Sequence, residues 1–310
     1  MISYFVSFLI MGSIYAMAAL ALNLQWGFTG LMNFGIGAFY MLGAYTSAIL
    51  TCPATTEHLG GFGLPVLIGV IGAALVCGVL AFLIGFPALR LRGGPFAIAL
   101  LAIHETLLLV VRNESWLTNG VWGIRGIPRP FFEMVNPRHY GYLYLIIAAG
   151  LLILIYLAIG KVVRSPWGRV LRGISEDEDL TSMSGKDCWK YKMQSFVFGS
   201  MVMGVAGATY VHYTGFVSPQ VFNPLMSTFI VWLMVMVGGT GNNRGVIVGA
   251  FLVWAIWVGS DFLTDFVPAA IATRIGFIRM LFVGIILGVT ILTKPQGILS
   301  RKRLTVDWYL

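Results

Sequence analysis

Apolar runs as long as a bilayer is thick recur along this chain, and they constrain its fold more than any other feature. An α-helix rises about 1.5 Å per residue, so about 20 apolar residues cross a hydrocarbon core of roughly 30 Å. The mean hydropathy of +0.87 excludes an ordinary soluble domain. The segments that we interpret as spanning or partly spanning are 2–22, 34–51, 65–89, 95–112, 140–160, 195–215, 225–238, 246–265 and 274–293.

The sequence therefore predicts an all-α fold, a polytopic transmembrane helical bundle. Two stretches indicate interruptions. The segment 225–238 is too short to cross a bilayer upright. The stretch 23–33, NLQWGFTGLMN, is polar and punctuated by glycine, and non-helical backbone survives at membrane depth only inside protein or beside a wet cavity. We expect about eight to ten spans, some of them broken or re-entrant.

Charged residues are concentrated on one side of the predicted bundle. Residues 161–192 hold seven of the 20 basic and five of the 12 acidic side chains. With the turn 90–94, the Arg244 loop and the tail after 293, this side carries 14 of the 20 basic residues. Basic residues collect on the cytoplasmic side, so we expect the N-terminus outside, the C-terminus in the cytoplasm and the connection 113–139 outside. The net charge of +8 then reflects topology and indicates no nucleic-acid partner.

The charged segment itself predicts short helices. Ser165 has an N-capping side chain, and Pro166 suits the first helical position. Acidic residues from Glu176 onward favour the positive end of a second helix, and Gly185 favours its termination. Connections in helical bundles usually span about 2–8 residues, so a much longer one favours a function. A solvated loop of balanced charge and a docking surface for another protein both fit, and the length favours docking.

Three stretches of the chain resemble one family of permeases. The run SPWGRVLRGISEDE, from Ser165 to Glu178, resembles the coupling loop of ABC-importer permeases. GFTGLMNFGIGAFYMLGAY (27–45) is similar to the broken-helix segment of the family, spaced by Gly and Phe. Residues 215–251, with a Ser-Pro pair and a Gly-Gly-x-Gly turn, are similar to its second-half signature. The chain thus resembles permeases that import branched-chain and other hydrophobic amino acids.

This resemblance implies an assembly in the bacterial cytoplasmic membrane. It implies a single permease domain over 1–310, a cytoplasmic coupling loop with a coupling helix over 161–194, and no cofactor. The implied partners are two ATP-binding subunits, a second related permease that forms a heterodimer, an extracytoplasmic substrate-binding protein that contacts 113–139, and membrane lipid. The residues implied in ATPase coupling are Arg169, Arg172, Glu176, Glu178, Asp179 and Gly185.

The coupling loop departs from the family at one turn. After the position of Glu178 the family usually carries small residues, typically Ala-Ala. This chain instead has Asp179, Leu180, Thr181 and Ser182. The docking surface is therefore expected to be adapted to its own ATPase partner.

Polar residues and glycines at membrane depth are candidates for a substrate pathway. A broken helix exposes backbone groups that can hold the polar ends of a small substrate. The same polar side chains can instead satisfy the broken backbone, and both interpretations stay open. The candidates are Asn23, Gln25, Asn33, Phe34, Phe39, Glu105, Ser218, Gly238 and Gly239.

An ionisable pair interrupts one of the predicted spans. His104 and Glu105 lie in the middle of the segment 95–112. An ionisable side chain at a helix centre costs roughly 2.5–3.5 kcal/mol, so each needs a reason. Neighbouring helical positions point about 100° apart, so at most one of them faces a pathway. Glu105 is the better candidate, because the resembled family often has an acidic residue here.

The sequence lacks enzyme motifs. It has no G-x-x-x-x-G-K-[ST] phosphate loop, so ATP is expected to be hydrolysed by a separate subunit. Cys52, Cys77 and Cys188 are scattered without CxxC spacing, and we expect neither a metal site nor a disulfide framework. We expect a transport subunit without enzymatic activity. Two alternatives remain: a permease of the same type for urea or short-chain amides, and a stand-alone secondary transporter, since broken helices fit that class too.

Overall fold

The described part of the chain folds mostly into helices. A computed structural model describes residues 2–54, 59–137 and 139–262, with the isolated positions 281, 284, 285, 288, 289, 292 and 297–299. Within them, the α-helices are α1 (Ile2–Leu22), α2 (Ile36–Thr51), α3 (Val66–Ala88), α4 (Gly94–Asn113), α5 (Ser115–Thr118), α6 (Tyr140–Arg164), α7 (Pro166–Glu176), α8 (Glu178–Met183), α9 (Cys188–Thr214), α10 (Ile230–Gly238) and α11 (Asn243–Phe262). Two short antiparallel strands, β1 (Ile124–Arg125) and β2 (Phe216–Val217), pair Ile124 with Val217.

In the described part of the chain, six helices are long and apolar enough to cross a membrane. They correspond to α1, α3, α4, α6, α9 and α11, while α2 and the segment Leu225–Gly238 are shorter apolar helices. The predicted class, a polytopic helical membrane protein, is confirmed. Most of the predicted span 274–293 and the end of 246–265 lie outside the described residues.

The centre of the bundle consists of α1, α2 and α9, because small residues let their backbones approach closely. Gly43 of α2 lies against Gly204 of α9, and Gly207 packs on the Tyr40 carbonyl. α1 contributes the buried run Ala16–Leu22. By contrast, α3 and α6 each expose a face of aliphatic and aromatic side chains, which suits contact with lipid.

The two ends of the bundle differ in composition. At one end, called here the coupling end, α7 and α8 follow α6, and Asp179 Oδ1 lies 3.6 Å from Arg92 Nη1 of the α3–α4 turn. The start of α11 lies at this end too, because Arg244 donates a hydrogen bond to the Tyr156 hydroxyl of α6. At the opposite end, β1 and β2 tie the connection 113–139 to the residues that follow α9.

Two helices begin halfway through the bundle. α2 begins at Ile36, and its Gly37 N–H donates to Thr228 Oγ1 (3.2 Å) in the π-helical turn Leu225–Phe229, which leads into α10. His104 of α4 packs beside Gly37. At about 1.5 Å per residue along α4, this meeting point lies roughly 15 Å from the coupling end, near mid-membrane. α2 runs from it toward the opposite end, and α10 runs toward the coupling end.

Candidate functional site

α7 lies along the coupling end because one of its faces is apolar. The helix begins at Pro166, as predicted, and Ser165 occupies the extended N-cap position. The Ser165 hydroxyl donates back to the Val162 carbonyl (2.6 Å) instead of capping α7. The buried face consists of Gly168, Leu171 and Ile174. Arg169 and Glu176 are exposed on the opposite side.

Arg172 fastens α7 to its neighbours. Its Nη2 donates to the Val163 carbonyl oxygen at the end of α6 (3.1 Å). Its guanidinium carbon lies 5.8 Å from the centre of the Phe28 ring, a cation–π distance. Of the residues implied in ATPase coupling, Arg172 therefore has contacts within this chain that give it a structural role.

α8 begins slightly later than the sequence predicts. Asp177 is extended, and its carboxylate accepts the Leu180 N–H (3.0 Å), which caps the helix. Glu178 forms an ion pair with Lys192 of α9. Gly185 follows the helix with a φ of +79° and ends it, as predicted. These contacts hold α8 against α9.

The most exposed apolar side chains of residues 161–194, called here the coupling segment, were not among the predicted residues. Leu180 is 65% exposed and Met183 is 81% exposed, and they lie three residues apart on α8. Residues at this spacing share a helix face. The sequence contained one signal, because Leu180 stands where the resembled family carries a small residue.

The break between α1 and α2 contains a buried polar network, which begins at Asn23. Asn23, Gln25 and Asn33 are all fully buried. Asn23 Nδ2 donates to Asn243 Oδ1, and Asn23 Oδ1 accepts the Gly241 N–H, both at 2.8 Å. Asn23 thus joins the end of α1 to the start of α11.

The other two amides of this network, those of Gln25 and Asn33, hydrogen-bond to each other and to neighbouring helices. Gln25 Nε2 donates to the Phe196 carbonyl (2.8 Å), and Gln25 Oε1 accepts from Asn33 Nδ2 (2.8 Å). Asn33 Oδ1 accepts the Gly35 N–H (2.7 Å), and its carbonyl accepts from Trp232 Nε1 (2.9 Å). All three amides are hydrogen-bonded to protein groups in this conformation.

The break also contacts the coupling segment. Phe28 lies against Arg172, as described above. Gly30 has a φ of +79° and packs against Ser175 near the end of α7. A displacement of α7 would therefore act directly on the residues between α1 and α2.

His104 and Glu105 lie on different faces of α4, as helical spacing predicts. His104 is buried, and its Nε2–H donates to the Phe222 carbonyl (3.0 Å) just before the π-helical turn. Glu105 is exposed on the surface of this chain, at the depth where α2 and the π-helical turn meet. The carboxylate is thus available to a substrate or to another subunit.

The remaining pathway candidates are spread through the bundle. Phe34 is half-buried near the meeting point and stacks on Trp232, with 4.4 Å between ring centres. Phe39 is buried in the core. Ser218 follows β2 at the opposite end, whereas Gly238 and Gly239 terminate α10 at the coupling end. The structure does not bring Ser218 together with the two glycines.

The connection 113–139 presents large apolar side chains at the opposite end. Its exposed members are Trp116, Val121, Trp122, Phe131, Phe132 and Met134. The β1–β2 pairing fixes their position relative to α9. Among the described residues, no group of three or more His, Cys, Asp or Glu side chains could hold a metal ion.

These features define a multi-pass helical membrane protein with half-spanning helices and an anchored charged loop at one end. The chain belongs to the family of permease components of branched-chain amino acid transport systems, whose profile matches residues 4–291. The family resemblance inferred from the motifs is thereby confirmed. Relatives in this family are transport permeases, and no solved structure matches the chain significantly.

Three relatives illustrate the similarity. The high-affinity branched-chain amino acid transport system permease protein LivM of Escherichia coli K12 is 30% identical over 94% of this chain and 68% of its own length. The probable branched-chain amino acid transport permease protein LivM of Methanocaldococcus jannaschii is 26% identical over 93% and 91%, respectively. The permease protein BraD of Pseudomonas aeruginosa is 24% identical over 94% of each chain.

Proposed function

We propose that this chain is the membrane-spanning subunit of an ATP-binding-cassette importer that takes up branched-chain amino acids, as a single permease domain over 1–310. Relatives named as permeases of branched-chain amino acid transport systems support the substrate class. The observation that carries the proposal is the exposed pair Leu180 and Met183 on a charged loop that is otherwise firmly anchored. Two neighbouring exposed apolar side chains on a helix that is held in place are suited to contact another protein.

Separate ATP-binding subunits are proposed to dock on α7 and α8. Arg169, Glu176 and Asp179 carry exposed charges on the same two helices and would favour an oriented contact. The contacts of Phe28 and Gly30 with α7 would carry a movement of the docked helices into the break between α1 and α2. The closed amide network of the break is then the gate that such a movement opens and closes.

The substrate pathway is proposed to follow the face of α4 that carries Glu105. A carboxylate that faces lipid at mid-membrane costs roughly 2.5–3.5 kcal/mol, so this face needs a cover of protein or water. A second, related permease would supply that cover and the other wall of the pathway. The coupling end is proposed to face the cytoplasm of a bacterial inner membrane.

The charges near mid-membrane favour an amino acid over a neutral solute. The Glu105 carboxylate would receive the α-ammonium group of the substrate. The helix starts at Ile36 and Leu225, which are the positive ends of helix dipoles, would attract its α-carboxylate. Urea or a short amide carries no net charge at either end and would gain little from this arrangement.

At the opposite end, a substrate-binding protein is proposed to contact the connection 113–139. Trp122 and Met134 are the most exposed apolar side chains of this connection. The binding protein delivers substrate and performs much of the selection, so the pathway itself needs few specific contacts.

Uptake by the complete assembly, reconstituted in proteoliposomes with its binding protein, tests this function. We expect leucine uptake that requires ATP and survives an ionophore. Glu105→Gln should lower uptake by roughly tenfold or more, because the amide keeps an acceptor oxygen but loses the negative charge that would pair with the α-ammonium group. Thr106→Val changes the neighbouring exposed position, about 100° around α4 from Glu105, and is the matched control that should leave uptake nearly unchanged.

Other outcomes would replace the proposal. Uptake of urea without leucine would establish the amide alternative. Uptake that survives ATP depletion but collapses with an ionophore would establish a secondary transporter.

A further inference from the structure

Residues 297–299, called here the clamp, lie against the end of α10 although they come much later in the chain. The last carbonyl groups of a helix have no partner within the helix itself. Here the Ile298 N–H donates to the Val237 carbonyl (2.9 Å), and the Leu299 N–H donates to the Gly238 carbonyl (3.3 Å). The clamp therefore satisfies two backbone groups at the end of α10.

The backbone of the clamp fits closely against this helix end. Gly297 has a φ of +79°, in the left-handed region that favours glycine. A Cβ atom at Gly297 would overlap the Cα atom of Gly239. Position 297 thus requires glycine both for its backbone conformation and for its close approach to α10.

Asn242 joins the clamp to the start of α11. Its Oδ1 accepts the Arg244 N–H (3.1 Å) and so caps α11, which begins at the next residue. Its Nδ2 donates to the Leu299 carbonyl (2.7 Å). One side-chain amide therefore has two tasks: its oxygen caps the helix, and its nitrogen holds the clamp.

The turn between α10 and α11, residues 239–242, also contacts the break between α1 and α2. The Gly241 N–H donates to Asn23 Oδ1, and Asn23 Nδ2 donates to Asn243 Oδ1, both at 2.8 Å. The same turn is therefore bound to the amide network of the break through Gly241 and to the clamp through Asn242.

We propose that the clamp fixes this turn and thereby holds the break in its closed conformation, with Asn242 as the positioning residue. The inference rests on the proposed function, in which movement of α7 opens and closes the break. Coupling between two parts of one molecule is reciprocal, so a contact that stabilises the closed break also resists that movement. The clamp therefore limits ATP hydrolysis by the docked subunits when no binding protein is present.

ATP hydrolysis by the reconstituted assembly, measured with and without the binding protein, tests this role. Asn242→Asp keeps an oxygen that can accept the Arg244 N–H, but it replaces the donor to Leu299 with an oxygen that repels the Leu299 carbonyl. We expect hydrolysis without the binding protein to rise by roughly threefold or more, as for the loss of one hydrogen bond.

A second variant separates the lost contact from the added charge. Asn242→Ser keeps a residue type that caps helices well, but its hydroxyl ends one bond short of the position of Asn242 Nδ2. It should raise hydrolysis without the binding protein in the same way.

Gln194→Glu is the matched control. It also exchanges an exposed amide for a carboxylate, and the carboxylate can still accept from Trp167 Nε1 as Gln194 Oε1 does. Gln194 belongs to α9 and not to the clamp, so hydrolysis should keep the dependence on the binding protein that the unaltered chain shows.

Hydrogen exchange of the full chain in detergent follows the clamp in the absence of ATP-binding subunits. The N–H groups of Ile298 and Leu299 should exchange slowly in the unaltered chain, because both are hydrogen-bonded, and faster in both Asn242 variants. Fast exchange of both groups in the unaltered chain would overturn the clamp itself.

Two results would overturn its role at the gate. They are unchanged hydrolysis without the binding protein in both Asn242 variants, and an equal rise in Gln194→Glu. An unaltered assembly that hydrolyses no ATP would overturn the proposed function and the gate role with it. Slow exchange of Ile298 would then show that the fault lay with the proposed function and not with the clamp.

Discussion

At the scale of single residues, the charges of the coupling segment divide into two groups with different tasks. Arg172 and Glu178 are engaged with neighbouring elements of the same chain. Arg169 and Glu176 are exposed and free of such contacts in the described structure. The first group therefore holds the loop in place, and the second group is available to a partner. Substitutions in the first group should lower the stability of the chain, and substitutions in the second group should weaken binding of a partner.

Glu178→Gln should destabilise the chain itself. The change leaves Lys192, which is 8% exposed, without its counter-charge. In a double-mutant cycle with Lys192→Gln, measured by unfolding in detergent, we expect a coupling energy of about 1–3 kcal/mol. Glu176→Gln removes an exposed carboxylate nearby and should change stability by less than about 0.5 kcal/mol. Equal effects of the two substitutions would contradict the internal role of Glu178.

At the scale of elements, α8 depends on its surroundings for its existence. A helix of six residues is not stable alone in water. The cap by Asp177, the ion pair to Lys192 and the link from Asp179 to Arg92 hold it in place. Its exposed apolar face is consequently held in a fixed position, so less conformational entropy is lost when a partner docks on it.

Met183→Asp should release the ATP-binding subunits from the assembly. The substitution places a charge in the proposed apolar contact, where an unpaired carboxylate is costly to bury. Co-purification of the ATP-binding subunits with the chain measures the effect, and we expect a loss of roughly tenfold or more.

Met134 offers a matched control for this experiment, because its exposure of 81% equals that of Met183. Met134 lies in the connection 113–139 at the opposite end. Met134→Asp should therefore retain the ATP-binding subunits while weakening stimulation by the binding protein. Loss of the ATP-binding subunits in both variants, or in neither, would place the docking surface elsewhere.

At the scale of the whole molecule, the two ends of the bundle present different chemistry. The coupling end carries α7, α8 and their exposed charged side chains. The opposite end carries the β1–β2 pair and the exposed aromatic side chains of 113–139. An asymmetry of this kind predicts that the coupling end faces the cytoplasm, because basic residues collect on that side of membrane proteins.

Cysteine labelling in intact cells tests this orientation. Ser182→Cys on α8 and Val121→Cys in the outer connection place single thiols at exposed positions. Cys52, Cys77 and Cys188 are buried and should react slowly. A membrane-impermeant maleimide should label Val121→Cys from outside, and Ser182→Cys only after the cells are opened. Labelling of Ser182→Cys from outside would reverse the topology and remove the proposed docking of cytoplasmic ATP-binding subunits.

The helices of this protein could be predicted from the sequence more completely than its candidate sites. The start of α7 at Pro166 and the end of α8 at Gly185 follow from local backbone preferences, and both were predicted. The exposed pair Leu180 and Met183 was missed, because two apolar residues in a polar loop are equally compatible with burial. The separation of Ser218 from Gly238 was not foreseen either, since it depends on where α9 and α10 lead the chain.

The sequence alone determined that this chain lies in a membrane as a helical bundle with its positive charge on one side. Hydropathy, helix length and charge count are local properties, and burial in lipid acts on them residue by residue. Only the tertiary structure decided how Asn23 is satisfied, because its amide bonds to Asn243, 220 residues away. The same holds for the packing of α6 beside the start of α11, where Arg244 donates to the hydroxyl of Tyr156, 88 residues away.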